Sequence, residues 1–159
     1  MGYFLGRGRR RGRRQRTFRP VFCAKIPLMN PHIFREYDIR GAVGRDLTDE
    51  TVHRLARALG TYFLRHGAAR AVVGRDARES SPRFRDLVVR GLVESGCHVL
   101  DIGMVPTPVL YFALFTQDVG AGVMITGSHN PPDNNGFKVC LGRSTIYGGQ
   151  IQEVRALAD

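Results

Sequence analysis

A polar loop between two apolar segments carries the residues best suited to chemistry. Residues 126–138 read TGSHNPPDNNGFK and place the hydroxyl of Ser128, the imidazole of His129 and the amine of Lys138 around two adjacent prolines. Turn-forming residues explain much of this composition. A simple hairpin between the apolar segments 120–126 and 137–141 would need about 2–5 residues, whereas this connection has about ten. A loop of this size beyond a strand indicates a functional site.

Covalent phosphoryl transfer through Ser128 fits these residue types best. A serine–histidine–aspartate triad is disfavoured because the adjacent side chains of Ser128 and His129 are expected to project in different directions, and no G-x-S-x-G segment is present. A P-loop is disfavoured because G-x-x-x-x-G-K-[ST] is absent. A serine oxygen can accept and return a phosphoryl group when a metal ion neutralises the charge.

Lys138 is distinctive within this composition. The chain has 22 arginines and two lysines, and Lys138 is the only lysine after residue 28. A desolvated lysine can lose its proton, whereas an arginine effectively cannot. Proton transfer is therefore the favoured role for Lys138, and a strand residue that points to solvent is the alternative.

The net charge of +10 belongs mainly to the first 28 residues. Residues 1–28 hold nine basic groups and no acidic one, so residues 29–159 carry 15 basic and 14 acidic groups. We interpret 1–28 as a disordered Arg-rich extension, with Met29 as an alternative start. The open alternatives are binding to nucleic acid or an anionic membrane, a transit peptide and a twin-arginine signal. The nearly neutral remainder has no basic stripe with interleaved aromatic residues, so the sequence does not support nucleic-acid recognition by the body.

The composition favours one globular domain over residues 29–159. Hydrophobic residues make up 43% of the chain, yet no apolar run approaches the roughly 20 residues of a membrane span. The three cysteines are widely spaced and match neither a disulfide framework nor a zinc pattern. A reducing compartment, and hence a cytoplasmic location, is expected.

Strand and helix patterns alternate along the body. This alternation predicts an α/β fold with a mixed, mostly parallel sheet and helices on both faces. Ligands are then expected beyond the carboxyl ends of the strands, where the loop of Ser128 begins. The predicted elements are a strand or extended arm at 33–40, a helix capped by Thr48 and ended by Gly67, a strand at 70–74, a helix capped by Ser81 and ended by Gly96, a strand at 97–103, a largely buried helix from Thr107, strands at 120–126 and 137–141, and a helix from Gln150.

Three segments of the body resemble one enzyme family. TGSHNPPDNNGFK is similar to the phosphoserine loop of the α-D-phosphohexomutases, and FREYDIRG (34–41) and VVGRDARESSP (72–82) resemble two further segments of its phosphomannomutase/phosphoglucomutase subgroup. The resemblance runs from about Met29 to the end of the sequence. It implies the three-layer α/β/α architecture of domain I of a four-domain enzyme.

The resemblance also implies a reaction and the residues that perform it. Such enzymes interconvert hexose 1-phosphates and 6-phosphates through a phosphoserine and a bisphosphorylated sugar, and Ser128 takes the place of that phosphoserine. His129 and Lys138 would assist proton transfer at the sugar hydroxyl, and Tyr37 and Arg40 would line the substrate site. Local roles remain open: Tyr37 could fill an interdomain gap, Arg40 could pair with Asp38 or cap a strand, and His129 could only hold the loop backbone.

Further components follow from the same resemblance. The phosphate on Ser128 would supply a ligand to Mg²⁺, and a glucose 1,6-bisphosphate-type molecule would act as activator. The usual Asp-Gly-Asp-x-Asp-Arg metal loop is absent from the sequence, so the remaining domains of the same enzyme are expected partners. This chain alone is expected to show negligible turnover and an exposed apolar surface where those domains dock. Arg75 and Asp76 are expected to be structural, as a turn and an ion pair.

Two functions of other classes stay open at this stage. The chain could be a non-catalytic sugar-phosphate-binding module, or it could bind nucleic acid through the Arg-rich extension. The preferred hexose is not determined, although the segments YDIRG and TGSHNPP favour mannose or glucose phosphates over glucosamine phosphate.

Overall fold

A six-stranded mixed sheet forms the centre of the fold, and the computed structural model describes residues 28–159. The predicted extension therefore lies outside the described residues, apart from Leu28. The strand order is β1-β5-β4-β2-β3, with β6 paired to β5. The elements are a 3-10 turn at Pro31–Ile33, β1 (Ile39–Ala42), α1 (Asp49–Arg65), β2 (Arg70–Arg75), α2 (Ser81–Glu94), β3 (His98–Met104), α3 (Thr107–Thr116), β4 (Ala121–Ile125), β5 (Asn134–Leu141), β6 (Ser144–Thr145) and α4 (Gly149–Ala158).

Helices cover both faces of the sheet, as the sequence predicted. Strands β2, β3 and β4 are parallel, and β1 and β5 add an antiparallel edge. Helices α1, α2 and α4 pack together over one face, where alternate strand residues such as Val73 and Val123 enter the larger core. Helix α3 alone covers part of the other face, where Val72 and Met124 contact it. The prediction of an α/β/α architecture is confirmed.

The helix boundaries confirm one predicted cap and correct another. Thr48 caps α1 by accepting a hydrogen bond from the backbone N–H of Thr51 at 3.1 Å. The predicted cap at Ser81 is wrong, because Ser81 is the first helical residue and Ser80 precedes it without a side-chain cap. The hydroxyl of Ser81 instead donates to Asp76 at 2.5 Å.

Two strand boundaries also differ from the prediction. The extended arm at 33–40 is wrong for most of its length, because the chain turns at residues 35–38, where the N–H of Arg35 donates to the carbonyl of Asp38, and only Ile39–Ala42 pair as β1. Strand β5 begins at Asn134, opposite Ala42, so the loop after β4 spans only 126–133. Tertiary pairing with β1 extends β5 into residues whose types favour turns.

Helix α3 is less buried than its apolar sequence predicted. Leu110, Ala113 and Leu114 enter the core, but Phe112 and Phe115 are 66% and 57% exposed. Only one side of the helix therefore meets the sheet. Within the described part of the chain, no helix combines the length and apolar character needed to cross a membrane.

Candidate functional site

The loop after β4 presents a serine hydroxyl next to an imidazole. Ser128 has a φ of 54°, the only positive φ among the non-glycine residues described, and its N–H donates to Thr126 Oγ1 at 3.0 Å. Its Oγ lies 3.3 Å from Nδ1 of His129, and both residues are exposed. The expectation that these adjacent side chains diverge is therefore wrong. The left-handed backbone at Ser128 departs from the extended geometry on which that expectation rested.

Lys138 and Arg40 lie on neighbouring strands and share one carboxylate. Asp38 precedes β1 and is 7% exposed. It forms a bidentate ion pair with Arg40, and Nζ of Lys138 lies 3.8 Å from its Oδ2. The hydrogen bond with Asp38 raises the pKa of Arg40, so this guanidinium stays charged. Lys138 is only 27% exposed, which contradicts the alternative of a lysine pointing freely into solvent.

These residues line a shallow cavity of about 340 Å³ together with Tyr37. Tyr37 lies at the edge of this cavity and is 69% exposed. Arg35 and Glu36 complete the lining, so the walls carry both signs of charge. The structure thus brings Tyr37, Arg40 and Lys138 together, whereas Ser128 and His129 lie on the separate loop and do not line this cavity.

A single side-chain contact joins the loop to the cavity. Nη1 of Arg40 donates to Oδ1 of Asn130 at 3.1 Å, while the rest of its guanidinium holds Asp38. The alternative that Arg40 pairs with an acid is confirmed, and the same residue still faces the cavity. Arg40 therefore links the two groups of residues that the sequence singled out.

Asp76 is a structural residue, as expected. It accepts hydrogen bonds from the hydroxyl of Ser81 and from the backbone N–H groups of Arg78 and Gly127. Burial acts to raise the pKa of Asp76, but these hydrogen bonds and that of Thr126 outweigh it, so the pKa lies below its usual value. Its ion pair is with Arg78 at 3.4 Å, whereas Arg75 donates to the carbonyl of Asp76.

Sequence reasoning missed two residues that organise this region, Asn130 and Arg78, and foresaw only part of the role of Asp38. Asp38 sits between two cations, Asn130 connects the loop to Arg40, and Arg78 lies beneath the loop. The sequence offered one signal, since Arg78 belongs to the segment GRDAR. Asp38 was expected as a partner of Arg40 alone, and nothing in the local sequence shows its contact with Lys138 or the partner of Asn130.

Metal ligands are scarce in the described part of the chain. No group of three or more His, Cys, Asp or Glu residues among residues 28–159 is arranged to hold a metal ion. The hydroxyl of Ser128, once phosphorylated, would offer oxygen ligands at an exposed position, which suits a hard cation such as Mg²⁺. Six ligands are typical for Mg²⁺, so these residues can provide only part of such a site.

Comparison with known proteins shows that the described domain is similar to phosphoglucomutases and phosphomannomutases. Residues 31–157 match the family described as phosphoglucomutase/phosphomannomutase, alpha/beta/alpha domain I. A phosphomannomutase/phosphoglucomutase of Pseudomonas aeruginosa is 50% identical over 132 residues, which cover 83% of this chain and 28% of the relative. A phosphoglucomutase of Neisseria gonorrhoeae is 50% identical over 127 residues, covering 80% of this chain and 28% of the relative.

One solved structure is similar to this chain in both fold and sequence. The crystal structure of a phosphoglucomutase/phosphomannomutase family protein from Burkholderia thailandensis superposes with a TM-score of 0.77 at 39% identity, covering 82% of this chain and 30% of that chain. The chain thus spans less than a third of the length of the relatives that it matches.

Proposed function

The chain belongs to the phosphoglucomutase/phosphomannomutase family, matching its alpha/beta/alpha domain I, and from this premise we propose that it carries the phosphoserine of an enzyme that interconverts hexose 1-phosphates and hexose 6-phosphates. The observation that carries the proposal is the exposed hydroxyl of Ser128, 3.3 Å from His129 and joined through Asn130 and Arg40 to a cavity lined by Lys138. One side of the domain therefore presents an oxygen that can accept a phosphoryl group, together with groups that can transfer protons. It also presents cations that can bind a phosphate.

The proposed step moves one phosphoryl group between two oxygens. The bond between phosphorus and Ser128 Oγ breaks as a new bond forms from phosphorus to a sugar hydroxyl. The proton of that hydroxyl passes to Lys138 or His129, which act as bases at the sugar. The Oγ of Ser128 takes up a proton as its bond to phosphorus breaks, so that a serine hydroxyl results. In the second half of the cycle the opposite phosphate of the sugar returns a phosphoryl group to Ser128: the serine hydroxyl gives up its proton, and the sugar oxygen that loses phosphorus is protonated.

The cavity at β1 and β5 suits a hexose phosphate. The guanidinium of Arg40 is held in place by Asp38 and would attract the phosphate dianion. The exposed ring of Tyr37 offers an apolar surface with a hydroxyl for the sugar. Mg²⁺, bound at the phosphate of Ser128 and at ligands outside residues 28–159, would neutralise the transferred charge, and a glucose 1,6-bisphosphate-type activator would restore the phosphoserine.

The remaining length of the relatives suggests further domains that pack on this one. Val109, Phe112 and Phe115 recur every third residue along the outer side of α3 and are exposed. A helix that is apolar on all sides is normally buried. The guanidinium of Arg143 lies 5.0 Å from the ring centroid of Phe115 and covers only part of this side. We assign this surface, the outer face of α3, to contact with the remaining domains.

The outer face of α3 gives a testable difference between the isolated chain and a complete enzyme. A hybrid enzyme can be made by placing residues 29–159 in front of the remainder of the Pseudomonas aeruginosa relative. Phe112→Ser should lower the unfolding free energy of the hybrid enzyme by about 2 kcal/mol, because it removes a buried aromatic ring. In the isolated chain the same change should cost less than about 0.5 kcal/mol. Equally small losses in urea titrations of both proteins would contradict domain contact at this face.

The reducing environment expected from the sequence has modest support. Cys97 and Cys140 are buried and free. Burial raises the pKa of Cys140 to about 11 and moves the pKa of Cys97 above its usual value, so neither forms a reactive thiolate. Cys23 lies outside the described residues. A cytoplasmic location is proposed on this basis.

The proposal is tested by following the phosphoryl group. The hybrid enzyme, incubated with Mg²⁺ and ³²P-labelled glucose 1,6-bisphosphate, should acquire label on the peptide that contains Ser128 and should convert glucose 1-phosphate to glucose 6-phosphate. The isolated chain should show negligible turnover in the same assay, since most of the charge stabilisation is missing. A folded hybrid enzyme that turns over substrate without labelling Ser128, or an isolated chain with robust turnover, would refute the proposal.

A further inference from the structure

The guanidinium of Arg78 lies beneath the loop of Ser128 and donates hydrogen bonds to three carbonyl oxygens of the loop and to that of Asn134, the first residue of β5. Nη1 donates to Pro131 at 2.7 Å and to Asn134 at 2.9 Å. Nη2 donates to Asn130 at 2.6 Å and to Ser128 at 3.1 Å. The Arg78 side chain is only 16% exposed although these loop residues lie at the surface. We call this arrangement of one guanidinium and four carbonyl oxygens the Arg78 clamp.

The position of Arg78 is fixed from below and from above. Below, its Nε lies 3.4 Å from the carboxylate of Asp76, which also accepts its backbone N–H. Above, Gly127 packs directly on the guanidinium, since a Cβ at this residue would lie 2.4 Å from Cζ of Arg78. The N–H of Gly127 reaches the same carboxylate at 3.3 Å. The loop backbone therefore rests on an ion pair with no space between them.

The clamp supplies much of the order of this loop. Within residues 126–134, two backbone hydrogen bonds are formed, from Asn130 to Gly127 and from Asn134 to Pro131, each 3.0 Å long. The four bonds from a charged donor are stronger individually than these neutral ones. A lysine cannot replace them, because its single ammonium group lacks the planar fork that reaches four separate oxygens.

The clamp also sets the direction of the peptide that follows Ser128. The carbonyl of Ser128 points to Arg78, and the described chain contains no cis peptide bond. In a trans peptide the N–H points opposite to the C=O, so the N–H of His129 faces away from the clamp. The same peptide joins the residue at φ 54° to the imidazole that contacts its hydroxyl. A change in the orientation of this peptide would therefore alter the contact between Ser128 Oγ and His129 Nδ1.

We propose that Arg78 is a positioning residue for phosphoryl transfer at Ser128: the Arg78 clamp holds the loop backbone so that Ser128 Oγ and His129 Nδ1 stay in contact. The inference rests on the proposed function for the reaction that it serves, but the clamp itself has consequences that can be measured without activity. Arg78 does not line the cavity of Arg40 and Lys138, so it acts on the rate and not on sugar binding.

The test compares Arg78→Lys with Arg70→Lys. Arg70 is the first residue of β2, at the end of the strand away from the loop, and forms an exposed ion pair with Asp118. In the 159-residue chain, amide exchange at Asn130 and Asn134 should accelerate about tenfold or more in Arg78→Lys, while exchange at Val123 in the core stays unchanged. The ¹⁵N chemical shift of His129 Nδ1 should move to the value found in Ser128→Ala, in which the hydroxyl that contacts this nitrogen is missing. Arg70→Lys should leave both readouts at wild-type values.

The hybrid enzyme provides the kinetic readout. Arg78→Lys should lower kcat about 100-fold and change KM less than about threefold, as expected when a reacting group is misplaced by about 1 Å. If exchange at Val123 also accelerates, Arg78→Lys is globally destabilised. Gly127→Ala, which displaces the guanidinium without removing a charge, then replaces Arg78→Lys in the measurements of amide exchange, His129 chemical shift and kinetics. Unchanged loop exchange and an unchanged His129 shift would overturn the clamp even if the hybrid enzyme is active. A different outcome would refute the proposed function alone: the wild-type hybrid enzyme is inactive, while Arg78→Lys still accelerates amide exchange in the loop.

Discussion

Replacing Ser128 with alanine is expected to reduce the turnover of the hybrid enzyme by at least about 10⁴-fold, because the proposed reaction passes through a covalent bond to its Oγ. Alanine retains the Cβ and therefore the same backbone cost at φ 54°. Label from the sugar bisphosphate should be lost from the loop peptide at the same time. The coupled mutase assay and peptide mass spectrometry measure the two effects.

Two further variants separate the oxygen from the backbone. Ser128→Gly removes the same oxygen and relieves the left-handed conformation, so it should be as inactive as Ser128→Ala. Ser144→Ala removes an exposed hydroxyl from β6 and should retain wild-type turnover. A Ser128→Ala enzyme that keeps more than about a tenth of its activity would exclude the phosphoserine, since such residual rates do not survive loss of a nucleophile. Sugar-phosphate binding that persists while turnover never appears, even in the wild type, would instead favour a binding module.

Replacing Lys138 with arginine is expected to lower kcat by about 10²–10⁴-fold, although the positive charge is conserved. The amine lies 3.8 Å from Asp38. Amines can serve as proton carriers in general acid–base catalysis, whereas a guanidinium effectively cannot. Substrate affinity should change little, because attraction to phosphate is retained. Steady-state kinetics that separate kcat from KM measure this effect.

The matched control for Lys138 is Arg90→Lys, a charge-conserving change at an exposed pair with Glu94 on α2. It should leave both kinetic constants unchanged. If Lys138→Arg retains kcat within about threefold, the residue contributes charge alone. The proton transfer would then belong to His129, which Ser128 contacts directly.

The composition of the loop identified candidate residues, but the length of the loop was overestimated. Ser128, His129 and Lys138 were identified because a hydroxyl, an imidazole and the one lysine of the body occur within eleven residues. The end of the loop was misplaced because pairing of Asn134 with Ala42 on β1 is a contact between distant parts of the chain. Residue types that favour turns can still enter a strand when a neighbour supplies the hydrogen bonds.

The sequence by itself determined the alternation of strands and helices, the cap at Thr48 and the family, because each depends on residues that are close together along the chain. Only the tertiary structure decided that Arg78 reaches four carbonyl oxygens about fifty residues away, that Asp38 holds both Arg40 and Lys138, and that the outer side of α3 stays exposed. Periodicity reports which face of an element is apolar. It does not report what lies against that face or where a long side chain ends, because these depend on how the sheet brings distant segments together.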